Sequence, residues 1–252
     1  MPWAGLRLAI TLLTAVPLPG RSTRPTAPSR AAAAAAMYWA PVVGLLLGAA
    51  AAGILLLATR IGHTGQLLGA VLAVTTAALL TGGLHLDGLA DFADGLGSHK
   101  PASAALEIMK RSDIGPFGVV TLALVLLVQV SALARATELG RGPVAVVAAA
   151  VTARLAMTLA CRRGVPSARP SGLGALVAGS VRLLPAAALI IATLAAAAAV
   201  GWIYAVAVAV GLACSAGVTA LAVHRLGGIT GDVLGALAEL TTAVCLVVSA
   251  LR

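Results

Sequence analysis

Three aspartates lie close together in a chain that has few acidic residues to place. Asp87, Asp91 and Asp94 are three of only eight acidic residues in 252. They belong to the segment G-G-L-H-L-D-G-L-A-D-F-A-D-G-L-G at residues 82–97. On a helix the spacing i, i+4, i+7 places them on one face, where carboxylates repel one another unless a cation lies between them. Mg²⁺ prefers oxygen ligands, usually with substrate phosphates, so the spacing predicts a metal-dependent phosphate site with the three aspartates as metal ligands and catalytic residues.

Other polar side chains near this segment could serve the same chemistry. His85 is a candidate ligand or proton carrier, or alternatively an anchor at the membrane interface. The segment E-I-M-K-R-S-D-I-G-P-F-G at residues 107–118 supplies Lys110 and Arg111, whose side chains can donate to phosphate oxygens. A basic pair before an apolar run is also typical of a positive-inside anchor. We predict Lys110 as a catalytic residue and Arg111 as a substrate-binding residue.

Two later segments combine glycines with polar residues. A-R-P-S-G-L-G at residues 168–174 contains Arg169, and a glycine-rich basic loop of this kind can hold an anionic group. G-G-I-T-G-D-V-L-G-A at residues 227–236 contains Thr230 and Asp232, which either cap the last helix or contribute to a substrate site. We predict all three residues as substrate-binding.

Two further ionisable residues fall inside apolar runs. Arg154 needs a partner there, because a bare charge in lipid costs several kcal/mol, unless its side chain extends to the headgroups. Glu239 follows Asp232 by two helical turns on the same face and could complete a polar pocket from within the membrane. Both are predicted as substrate-binding residues.

The composition is that of an integral membrane protein. Hydrophobic residues make up 60% of the chain, charged residues 10%, and the mean hydropathy is +1.05. We predict an all-α, polytopic helical membrane bundle of about seven transmembrane helices, organised as one catalytic domain over residues 1–252. Residues 1–33 would form a short N-terminal helix, interfacial or partly spanning, followed by a linker. The predicted spans are residues 34–58, 65–84, 115–135, 141–161, 183–202, 203–223 and 234–251.

The basic residues indicate the orientation of these spans. With the N-terminus in the cytoplasm, the inner segments carry twelve of the seventeen basic residues and the outer segments four. The inner ones are Arg7, Arg21, Arg24, Arg30, Lys100, Lys110, Arg111, Arg162, Arg163, Arg169, Arg182 and Arg225, and the outer ones are Arg60, Arg135, Arg141 and Arg252. This bias predicts a multi-pass protein of the inner or plasma membrane whose active site faces the cytoplasm. The spread of the cations over many loops argues against a nucleic-acid partner and favours contact with the lipid bilayer.

Taken together and in this order, the four motifs resemble the adenosylcobinamide-GDP ribazoletransferase (cobalamin synthase) family. The resemblance implies a late step of vitamin B12 assembly. In that step, adenosylcobinamide-GDP is joined to α-ribazole or its 5′-phosphate, giving adenosylcobalamin or its phosphate with release of GMP. It also implies Mg²⁺ as the cofactor and matches Asp87, Asp91 and Asp94 to the acidic core of the family. The remaining matched positions are Lys110, Arg169, Thr230 and Asp232.

Two other functions remain open from the residues alone. CDP-alcohol phosphotransferases also place aspartates at the cytoplasmic ends of membrane helices, but with the spacing D-x-x-D-G-x-x-A-R instead of D-x-x-x-D-x-x-D. A transporter of divalent metal or metabolites would tend to place ionisable residues at mid-membrane in related halves, a pattern that this chain lacks. The oligomeric state stays undecided, and a homo-oligomer is one possibility.

Overall fold

Helices account for most of the chain that the structure, a computed structural model, describes: residues 2–17 and 28–251. The α-helices within these ranges are α1 (Pro2–Leu13), α2 (Arg30–Leu56), α3 (Gln66–Leu80), α4 (Leu84–Gly97), α5 (Ala102–Ile108), α6 (Pro116–Glu138), α7 (Gly142–Ala160), α8 (Leu173–Val177), α9 (Leu183–Val200), α10 (Trp202–Leu226) and α11 (Gly231–Ser249). A π-helical turn, Leu57–Ile61, extends α2. Most of the predicted linker lies outside the described residues, as do Arg21, Arg24 and Arg252 of the charge count.

The helix lengths confirm the predicted fold class. In the described part of the chain, six helices are long and apolar enough to cross a membrane: α2 with its π-helical turn, α6, α7, α9, α10 and α11. Helices α3 and α4 meet the same criterion only as a pair that is bent by 89°. Helix α1 has 12 residues and would span about 18 Å, too short for a hydrocarbon core of about 30 Å. The protein is therefore an all-α bundle with six or seven spans and a short N-terminal helix.

Two glycines separate α3 from α4. Gly82 and Gly83 have φ values of 62° and 73°, a left-handed conformation that residues with a Cβ rarely adopt. The predicted span over residues 65–84 consequently ends at Leu80. Helix α4 therefore runs almost perpendicular to α3, and the bend redirects the helix that carries the three aspartates.

Helices α7 and α11 form the centre of the bundle. In their most apolar windows, 67% and 61% of the residues are buried, against 6% for the peripheral helix α9. Small residues allow α2 to approach α7 closely, since a Cβ on Gly44 would lie only 2.5 Å from the carbonyl oxygen of Ala150. The polar residues of α7 and α11 are therefore held in the most rigid part of the protein.

Candidate active site at the junction of α4 and α11

The backbones of α4 and α11 touch beside the aspartates. A Cβ on Gly88 would lie 2.9 Å from the backbone oxygen of Asp232, and a Cβ on Gly235 would lie 3.0 Å from that of His85. Contacts this short require glycine on both helices. They bring the aspartates of α4 next to the first turn of α11, although the two segments are about 140 residues apart in the sequence.

Carboxylates crowd together at this junction. Asp87 is exposed and Asp91, one turn later, is partly buried. Burial, together with the charges of Asp87, Asp232 and Asp94, raises the pKa of Asp91 to about 6, while the charge of Arg169 opposes the shift. A cation placed among these oxygens would relieve the repulsion.

Asp94 meets different surroundings from the other two aspartates. Its Oδ2 accepts a hydrogen bond from the backbone N–H of Gly115 at 2.8 Å, and its Oδ1 accepts one from that of Gly118 at 2.9 Å. These two N–H groups belong to the first turn of α6, which carries a partial positive charge. Asp94 is also buried. It therefore caps α6 and fixes that helix to α4.

Arg169 joins three segments around Asp232. One guanidinium nitrogen donates to Oδ2 of Asp232 at 3.1 Å and the other donates to the carbonyl of Leu106 at 3.0 Å. The hydroxyl of Thr230 donates to the same carboxylate oxygen at 3.2 Å and accepts from the backbone N–H of Val233, so it also caps α11. The structure brings Arg169, Thr230 and Asp232 together and confirms the helix-capping alternative for Thr230.

Two neighbouring clefts open at this end of the bundle. The larger, of about 300 Å³, is lined by Asp91, Asp94, Lys100, Arg111 and Asp113 among others. The smaller, of about 200 Å³, is lined by Arg169, Asp232 and the turn that starts α8. Carboxylates and cations thus alternate around space that could receive a phosphorylated molecule.

The structure separates several predicted site residues from these clefts. Lys110 is exposed and pairs at 2.7 Å with Glu107, a hydrogen bond that lowers the pKa of the Glu107 carboxyl. It does not line either cleft. His85, Arg154 and Glu239 lie within the bundle instead, where Arg154 donates to Nδ1 of His85 at 3.1 Å.

Sequence reasoning did not assign Lys100 to the site, although its side chain lines the larger cleft. The available signal was its position: it follows the aspartate segment directly and precedes the next span. A motif comparison favours residues inside the quoted motifs, and Lys100 lies between two of them.

The donor set is consistent with a divalent cation that needs further ligands from a substrate. Within residues 2–17 and 28–251, no group of three or more His, Cys, Asp or Glu side chains is arranged to hold a metal ion. Asp94 uses both of its oxygens on backbone N–H groups and Asp232 is paired with Arg169. Asp87 and Asp91 remain as candidate ligands, and Mg²⁺ in proteins is often bound by one or two carboxylates together with substrate phosphates and water.

Comparison with known proteins now identifies the family. The family model described as cobalamin-5-phosphate synthase matches residues 5–250. The chain belongs to this family. It is 46% identical to the adenosylcobinamide-GDP ribazoletransferase of Frankia casuarinae, over 97% of this chain and 94% of that protein. Proteins of the same name from Bradyrhizobium diazoefficiens and Chlorobaculum tepidum are 39% and 35% identical, each over 98% of this chain and over 93% and 95% of their own lengths. No solved structure matches the chain.

Proposed function

We propose that the protein is a membrane-embedded transferase that joins adenosylcobinamide-GDP to α-ribazole or α-ribazole 5′-phosphate and releases GMP. Membership of the cobalamin-5-phosphate synthase family and the names of the relatives support this reaction. The structural observation that carries the proposal is that Asp91 lines one of the two clefts near the α4–α11 junction and the Arg169–Asp232 pair lines the other. Both clefts are of a size for phosphate groups.

The reaction is a displacement at phosphorus. A ribose hydroxyl oxygen of the ribazole forms a bond to the phosphorus on the cobinamide arm and loses its proton to solvent, the P–O–P linkage breaks, and GMP leaves with the bridging oxygen. Positioning and neutralisation of charge contribute most of the catalysis in such transfers. Arg111 and Lys100 line the larger cleft and would bind phosphate oxygens there. Arg169 would stabilise the leaving phosphate from the smaller cleft.

Asp87 and Asp91 would hold Mg²⁺, which when bound neutralises charge on the diphosphate. Their spacing of one helical turn fits a shared ion, and Asp232 orients Arg169 from the opposite helix. The polar chemistry would face the cytoplasm in an inner or plasma membrane, since the inner segments carry most of the basic residues.

The test is GMP release by purified protein in lipid nanodiscs that is supplied with Mg²⁺, adenosylcobinamide-GDP and α-ribazole. We expect GMP and corrinoid product in equal amounts, and no product after complete chelation. Asp87→Asn and Asp91→Asn should each lower turnover by about 10²-fold or more while leaving the protein folded. Folding is checked by the elution volume and the unfolding temperature of each variant.

Two outcomes would contradict the proposal. One is CMP release from a CDP-alcohol with no GMP release from the corrinoid. The other is uptake of metal or metabolite into proteoliposomes without any chemistry.

A further inference from the structure

A buried polar cluster lies beneath the proposed active site. Helices α4, α6, α7 and α11 each contribute one side chain to it: His85, Gln129, Arg154 and Glu239. His85, Gln129 and Arg154 are only 3–5% exposed. Polar side chains in the interior of a membrane bundle are costly, so their presence calls for a role that the transfer reaction itself does not supply.

Two hydrogen-bonded pairs make up the cluster. Gln129 donates to the side chain of Glu239 at 2.8 Å and to its backbone carbonyl at 3.2 Å. Arg154 lies 3.1 Å from Nδ1 of His85. A guanidinium can only donate, so Nδ1 is the acceptor and His85 is the neutral tautomer with its proton on Nε2. The position of the His85 ring is therefore tied to Arg154.

A small cavity separates the two pairs. It has a volume of about 40 Å³ and is lined mostly by apolar residues, and its polar lining residues are Arg154, Glu239, Gln129, Thr81 and Thr242. Nε of Arg154 is buried and has no hydrogen-bond partner among the described residues. Arg154 and Glu239 form no direct ion pair. About 10–15 Å³ is enough for one water molecule that has polar partners, so this cavity has room for water between Arg154 and Glu239 and no room for a nucleotide.

Helix α4 connects the buried polar cluster to the aspartates. His85 lies on α4 two residues before Asp87, and its backbone packs against Gly235 of α11. Its side chain is held by Arg154 on α7, the central helix of the bundle. The first turn of α4 is therefore held by contacts with both α7 and α11. The position of that turn determines the direction in which Asp87 and Asp91 point.

We propose that Arg154 is a positioning residue that, bridged by water to Glu239 and bonded to His85, fixes α4 and its aspartates for the transfer reaction. The inference rests on the proposed function only for its kinetic readout. Arg154 touches neither cleft and acts through His85. In the same way, His85 acts by accepting a hydrogen bond and not by carrying a proton.

The deciding experiment compares His85→Asn with His85→Leu. The side-chain oxygen of Asn can accept the hydrogen bond from Arg154 near the position of Nδ1, whereas Leu cannot. Neither side chain can act as an acid or a base in proton transfer. We expect His85→Leu and Arg154→Met to lower kcat by about 10- to 100-fold, the usual effect of removing a residue that orients a ligand, with KM for adenosylcobinamide-GDP nearly unchanged. His85→Asn should recover most of that loss. Equal inactivity of the Asn and Leu variants would overturn the proposal in favour of proton transfer by His85.

A second readout needs no substrate. Amide hydrogen exchange in residues 84–97 should accelerate in Arg154→Met and His85→Leu and should stay near the wild-type rate in His85→Asn. The control is Thr241→Val, which alters a buried hydroxyl of α11 that has no partner within the described residues and lies outside the cavity. It should leave both exchange and kcat unchanged.

The kinetic and hydrogen-exchange measurements test the proposed function and the positioning role of Arg154 separately. If the wild-type protein transfers no GMP, the proposed function fails, while the exchange measurement still decides the role of Arg154. Unchanged exchange in α4 after Arg154→Met would overturn the positioning role. An experimental structure at high resolution should contain at least one ordered water between Arg154 and Glu239, and a dry cavity would exclude the bridge.

Discussion

Asp91 and Asp94 lie three residues apart on one helix but face different groups. The charges of Asp87 and Asp232 raise the pKa of Asp91, whereas Asp94 accepts hydrogen bonds from two N–H groups at the start of α6. The motif shows three equivalent aspartates, because the donors that distinguish Asp94 lie 21 and 24 residues further along the chain. The presence of the carboxylates was predictable from the sequence, but their division of roles depends on tertiary contacts that no local pattern contains.

The main effect of Asp94→Asn should be a loss of protein stability, with a smaller effect on metal binding. The amide nitrogen of Asn cannot accept a hydrogen bond, so one N–H of α6 loses its partner in a buried position. We expect a loss of about 2 kcal/mol in the free energy of unfolding, the usual range for a hydrogen bond to a charged group. Denaturant unfolding in detergent would measure it. The matched control is Asp87→Asn, an exposed residue on the same helix, whose unfolding midpoint should not move. Equal stability of the two variants would refute the capping role.

Lys100 and Lys110 offer a second comparison between motif and structure. Lys100 lines the larger cleft, whereas Lys110 points away and pairs with Glu107 on the surface. We expect Lys100→Met to raise KM for adenosylcobinamide-GDP several-fold, because a cation that contacts the substrate phosphates is lost. Lys110→Met should change KM little, since exposed ion pairs contribute little. The reverse order in steady-state kinetics would support the sequence-based assignment of Lys110.

At the scale of helices, hydropathy predicts the positions of the membrane spans well but does not predict the break between α3 and α4. The predicted span over residues 65–84 includes Gly82 and Gly83. In the structure they form the left-handed turn that breaks the span. Hydropathy averages over a window and does not detect a reversal made by two residues. The sequence also does not predict the close contact between α4 and α11, because a glycine that allows two helices to approach cannot be distinguished by sequence from a glycine in a flexible loop.

Gly88→Ala tests that contact. The added methyl group would press on the backbone of Asp232, where neither helix has a flexible side chain to move aside. We expect α4 to shift away from α11, with a cost of about 1–3 kcal/mol in stability and a fall in turnover. Thermal unfolding and GMP release measure the two effects. Gly217→Ala on α10 is the control, because nothing lies within 4 Å of its added Cβ. The packing argument fails if the two variants behave alike.

For the whole molecule, the positive-inside pattern predicts which end of the bundle faces the cytoplasm. A single-cysteine protein provides the test after the three native cysteines, Cys161, Cys214 and Cys245, are replaced by Ala. An impermeant maleimide applied to intact spheroplasts should label Gln66→Cys, at the start of α3. It should label Ser103→Cys, on α5 beside the site, only after the membrane is permeabilised. Both positions are exposed, so accessibility within the protein is equal. Labelling of Ser103→Cys in intact spheroplasts would contradict the predicted orientation, because the clefts would then face away from the cytoplasm.

Helix α11 is both the last helix that the structure describes and one of the two most enclosed. It supplies Asp232 to the clefts and Glu239 to the interior cluster. During synthesis the earlier helices must therefore remain loosely assembled in the bilayer, with a gap at their centre, until this segment leaves the translocon and inserts. Ribosome stalling just before Gly231 should consequently leave a nascent chain that protease cuts readily around residues 98–115, because Asp232 is not yet present to hold Arg169, which bonds Leu106 in that stretch.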